Sequence, residues 1–156
     1  MKMSKKQLKE VIRVKGWEDL VVDLMKWKKA DGFNEESAVD YTTNVMVRVM
    51  VSEMVLELED INKHYLYTAI SEIYEDYKRL QLIELIELPG IPTTAVQIVK
   101  DKIKQGYTEK TAIKHTVEFL QRTVVEYNID PNKSSKRELI DIVTKYYEED
   151  KRKRKG

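Results

Sequence analysis

Glycine and proline are so scarce in this chain that their positions partition it. Apart from the terminal Gly156, they fall at Gly16, Gly32, Pro89-Gly90, Pro92, Gly106 and Pro131. Glycine and proline are the strongest local breakers of regular structure. Six breaks leave about seven segments, and the apolar residues within them recur at three- and four-residue spacing, the period of an amphipathic helix.

The segment ends carry the matching chemistry. Ser4 and Gln7 form a capping-box pattern before Leu8, Val11 and Ile12. Trp17, Leu20, Val21, Leu24 and Trp27 make the next stripe, and Lys26, Lys28 and Lys29 precede Gly32. Cations there suit the negative end of a helix dipole. Asn34 reads as an N-cap followed by Glu35 and Glu36. Thr93 or Thr94 reads as the cap of a helix that Gly106 terminates, and Ser135 with Glu138 reads as a second capping box.

The stretch 45–51, Val-Met-Val-Arg-Val-Met-Val, is ambiguous. Its β-branched content favours a strand. The row Met46, Met50, Met54 and Leu58 at i, i+4 spacing favours a helix, which we adopt. Such a Met row fills a core, or it forms a pliable groove for a partner. The fold expected is mainly α: a single bundle of about six or seven helices over residues 1–150. Two long central helices near 35–59 and 63–88 would pack antiparallel, and shorter ones at 93–105, 109–127 and 136–150 would cover one side. Residues 151–156 are read as a separate basic tail.

A chain of 156 residues is long enough for a real core without staples. It has no cysteine, which excludes disulfides, cysteine-ligated metals and thiol catalysis. No apolar run approaches a membrane span, and the N-terminus lacks the apolar stretch of a secretory signal. A cytoplasmic protein is the simplest expectation. The 21 Lys, 13 Ile and 9 Tyr against only 10 Asn plus Gln resemble hyperthermophile composition, a bias that AT-rich and phage genomes also produce.

The near-neutral total of 28 basic and 27 acidic side chains hides segregation. Residues 1–30 carry a net +5, residues 31–60 a net −7, and residues 129–156 a net +3. Basic ends suit contact with phosphate, whose strength depends on salt. Equally, the acidic middle of one molecule would attract a basic end of another, or both would simply be solvated surface.

Three basic groups are the candidate nucleic-acid contacts. The first is the run Lys151, Arg152, Lys153, Arg154 and Lys155. The second is Lys133, Lys136 and Arg137, set where they oppose the dipole of the last helix. The third, Lys102, Lys104 and Lys110, brackets Gly106-Tyr107 in a helix–turn–helix pattern, with Tyr107 available for stacking. Residues 98–120 resemble the two helices of a ribbon-helix-helix repressor. That family places an alternating strand ahead of them, whereas Leu82-Ile83-Glu84-Leu85-Ile86-Glu87-Leu88 alternates poorly, and Pro89 to Pro92 follow. Residues 70–88 are similar to a winged-helix recognition helix running into a strand, but Glu72, Glu75 and Asp76 are the wrong sign to face DNA. Neither family is assigned.

Signals of catalysis are sparse. His64 and His115 lack partners at metal-ligand spacing. Glu53 and Glu57 would share a helix face and offer a weak divalent-cation pair. There is no phosphate-cradling glycine loop and no nucleophile motif. The expectation is a non-catalytic accessory protein, without a cofactor, that binds DNA or RNA through the phosphate backbone and self-associates. The alternative is a protein-interaction or assembly subunit that uses the acidic 31–60 segment.

Overall fold

The computed structural model describes residues 2–126 and 135–155. Among them are seven α-helices and no strand: α1 (Lys5–Val14), α2 (Glu18–Ala30), α3 (Glu35–Ser52), α4 (Lys63–Ile86), α5 (Ile91–Lys104), α6 (Glu109–Glu126) and α7 (Ser135–Lys155). A short 3-10 turn, Leu58–Asp60, lies between α3 and α4. The mainly helical class therefore holds, and 45–51 is helix, inside α3. Residues 82–86 are helical too, within α4, so the strand that either DNA-binding resemblance needs is missing.

Helix starts follow the capping chemistry. The Ser4 hydroxyl accepts from the Gln7 amide at 3.2 Å, while the Gln7 side chain accepts from the Ser4 amide at 2.9 Å. Asn34 accepts from the Ser37 amide at 2.8 Å, and Asn62 from the Tyr65 amide at 3.2 Å. Each such cap satisfies an otherwise orphaned donor and contributes about 1 kcal/mol. α5 starts at Ile91, two or three residues ahead of the predicted threonine caps, because Gly90 occupies the cap position at φ 92° and Pro92 sits in the first turn. Proline needs no hydrogen-bonded N–H there.

Helix ends follow one device used four times. At Gly16 the amide bonds back to Arg13, and the next amide, of Trp17, bonds to Ile12. Gly32 with Phe33 and Gly106 with Tyr107 repeat the pattern, with the glycine at positive φ. This is the Schellman stop, which needs a left-handed residue. α3 ends the same way: Met54 N–H bonds to Val51 and Val55 N–H to Met50. Here the left-handed residue is Met54, at φ 58°. That early stop shortens α3, which the apolar pattern alone would extend to residue 59.

The chain divides into two compact units, Met1–Tyr77 and Lys78–Gly156. The first core gathers Leu8 and Ile12 of α1, Val21 and Met25 of α2, Val39, Met46 and Met50 of α3, and Leu66 and Ile70 of α4. α3 packs closest on α2, its neighbour across the tight Gly32 turn, rather than on α4 as predicted. The second core gathers Leu82, Leu85 and Ile86 from the end of α4, Ala95 and Val99 of α5, Ala112, Val117 and Leu120 of α6, and Leu139, Val143 and Tyr147 of α7. Each buried large aliphatic contributes roughly 1.5–3 kcal/mol. In the second unit α5, α6 and α7 pack on one another.

The buried threonines are satisfied locally. Thr42, Thr43 and Thr116 donate to the carbonyls of Ala38, Val39 and Ala112 at 2.8, 2.7 and 2.9 Å. A hydroxyl tied to its own helix leaves only its methyl to the core.

Candidate nucleic-acid interface

The second unit carries 17 basic and 12 acidic residues, a net +5, whereas the first carries 11 and 15, a net −4. The sign thus differs from one unit to the other.

Two of the three predicted groups meet at one end of the second unit. α5 ends at Lys104, and the Gly106 turn leads directly into α6 at Glu109. There Thr108 accepts from the Thr111 amide at 3.2 Å and starts α6. The end of α7 reaches the same place. Lys151 pairs with Glu109 at 3.2 Å, and Lys100 of α5 pairs with Asp150 at 3.1 Å. So Lys102, Lys104 and Lys110 share an end with the run 151–155.

That run is not a tail. It is the last turn and more of α7, which continues to Lys155. Its cations complement the negative end of the helix dipole. Two of them are also used within the protein. Lys151 pairs with Glu109 and with Glu148 at 3.3 Å, and Arg154 pairs with Asp150 at 2.9 Å. Both cations also approach the Tyr147 ring, at 5.1 and 5.9 Å from its centre. The hydrogen bond to Glu109 is the main reason the Lys151 ammonium is held above its ordinary pKa. Arg152 and Lys153 are exposed and have no ion-pair partner among the described residues, as do Lys104 and Lys110. The helix geometry therefore sorts the four cations from Lys151 to Arg154 into two structural and two free ones.

Tyr107 is 42% exposed, yet its ring is already engaged. The Lys102 ammonium lies 5.4 Å from its centre, and the His115 ring meets it edge-on at 4.8 Å. His115 thus serves packing. Lys136 and Arg137 are exposed in the first turn of α7, roughly 22 Å along the helix from Arg152 by the rise per residue. They form a separate patch. Lys133 lies outside the described residues, and Ser135, predicted as the cap, is instead the first residue of α7.

In the first unit, Glu53 and Glu57 do not share a helix face, because α3 ends at Ser52. No group of three or more metal-ligating side chains occurs among the described residues. No single described helix is long and apolar enough to cross a membrane. Met46 and Met50 are fully buried, while Met54 is 92% exposed, so the predicted Met row breaks where the helix does. Trp17 packs against the first core, but Trp27 is 64% exposed, and the sequence spacing did not distinguish them. No protein-family model matches the chain, and no curated protein or solved structure matches it.

Proposed function

We propose that the chain is a non-catalytic accessory protein that binds nucleic acid through the phosphate backbone and self-associates. The contact surface in this reading is the basic end of the second unit: Lys102, Lys104, Lys110, Arg152 and Lys153. One observation carries it. Three helix ends bring these cations together, and of the acids nearby Glu109, Glu148 and Asp150 are taken up by Lys100, Lys151 and Arg154. Asp101 and Glu149 are the exposed acids left at that end, so the five cations outnumber them and the balance there is positive. Such cations position a phosphate backbone and carry no base readout.

The test is fluorescence anisotropy of labelled single-stranded DNA, duplex DNA and RNA across a salt series. Each neutralised phosphate adds about 0.9 to the log–log salt slope on duplex DNA. Replacing Lys104, Lys110, Arg152 and Lys153 by Gln lowers the slope by roughly one for each phosphate no longer neutralised. Flat titrations for all three polymers at about 100 μM protein, the weak limit of non-specific binding, refute the reading.

A further inference from the structure

We propose that the chain self-associates head to tail, with an acidic-rimmed apolar knob on the first unit of one copy seated in a basic-rimmed apolar groove on the second unit of another. This rests on the self-association named above and makes it specific; the groove shares Lys110 with the nucleic-acid surface, whereas the knob shares nothing with it.

The knob is the end of α3. Met54 is 92% exposed, Leu58 62% and Val51 39%. Met54 is also the one residue other than glycine at positive φ among the described residues. The other three helix stops of this type use glycine. An L-residue in this conformation is strained, and strain of this kind is where a functional contact is worth seeking. Met54 has a long, adaptable side chain suited to seating in a partner's surface. Glu53, Glu57 and Glu59 lie within five residues of it in the chain, all exposed and outside any ion pair among the described residues.

The groove lies between α6 and α7. Its volume is about 390 Å³, lined by Glu109, Lys110, Ile113, Lys114, Ile140 and Thr144. The lining is less polar than the sequence suggests. The Thr144 hydroxyl donates to the Ile140 carbonyl at 2.7 Å, so it is satisfied within its own helix. Glu109 is paired with Lys151, so Lys110 and Lys114 set the sign of the rim.

Charge selects the mode. Units of net −4 and +5 repel their own kind and attract each other. A two-fold contact of knob on knob or groove on groove would oppose like charges. A knob-in-groove contact is heterologous, and it closes into a ring or extends into a chain.

The experiment is sedimentation velocity over a concentration series, without nucleic acid, at low and moderate salt. The expected result is a mass that rises above the 18.4 kDa of one chain and falls back as salt is added. Met54→Gly keeps the helix stop and removes the knob, so self-association weakens at least about tenfold while thermal stability does not fall. Glu53→Lys/Glu57→Lys and Lys110→Glu/Lys114→Glu each abolish association alone, and mixing the two variants restores it. A wild-type chain that stays monomeric to about 1 mM at low salt overturns the proposal. So does association that survives these substitutions, or a mixture that stays monomeric. Nucleic-acid binding is read separately on Met54→Gly, which leaves Lys110 intact; unaltered anisotropy there shows that the two surfaces fail or succeed independently.

Discussion

Met54→Gly is expected to stabilise the protein, against the usual cost of glycine at a helix end. Met54 occupies the left-handed position of the α3 stop, at φ 58°. An L-residue in that conformation costs about 1–2 kcal/mol. Glycine removes that cost but adds about 0.4–1 kcal/mol of unfolded-state entropy. Loss of burial hardly enters, because the side chain is 92% exposed. The net gain is about 0–1.6 kcal/mol from these two magnitudes, centred on about 0.8 kcal/mol. For a chain of this size the central value is a rise in Tm of about 2–3 °C. Differential scanning calorimetry reads it, and a urea midpoint that rises at unchanged slope confirms that stability alone has moved. The reverse change at Gly32→Ala is the control. Gly32 has φ 96° and no neighbour within 4 Å of an added Cβ, so its cost is purely conformational, about 1 kcal/mol. A Tm that falls on Met54→Gly, or a Gly32→Ala that is neutral, refutes the conformational argument.

Met50→Ala and Met54→Ala, four residues apart, should behave oppositely: the buried site loses about 2–5 kcal/mol by urea denaturation, while the exposed one changes little. Burial, followed by Glu87 and Glu149, raises the Tyr146 phenol above its ordinary value of 10.0. The folded state therefore holds that proton more tightly, so its stability contribution is complete below the unfolded pKa and is lost as pH rises through the folded one. Stability should decline more shallowly above about pH 10 in Tyr146→Phe than in wild type, checked by urea midpoints against pH. Asp150→Asn removes the partner of both Lys100 and Arg154 and should lower stability by up to about 1 kcal/mol, since these are part-exposed pairs, read by thermal melting. Deleting residues 151–156 should cost stability as well as any nucleic-acid binding, because it removes the Lys151–Glu109 pair; point substitutions at Arg152 and Lys153 should cost binding alone, with anisotropy and melting run side by side.

The sequence by itself determined the helices. Their periodicity, the caps at Ser4 and Asn34, and the stops at Gly16, Gly32 and Gly106 are local properties, set within a few residues by backbone hydrogen bonding. The α3 stop was not legible, because Met54 carries no breaker chemistry and continues the i, i+4 row begun by Met46 and Met50. The sequence also showed the basic clusters, but not which cations are already paired. Lys151 and Arg154 look the same as Arg152 and Lys153 in a run of like charges. Only packing brings Glu109 beside Lys151, and only the turn of α7 places Arg154 over Asp150. The division into two units was likewise a tertiary decision. α4 reads as one uninterrupted stripe, yet Leu66 and Ile70 join one core while Leu82 and Ile86 join another. A helical pattern says which residues avoid water; it does not say which neighbours they find, because burial is a non-directional force and the partners are remote in the chain.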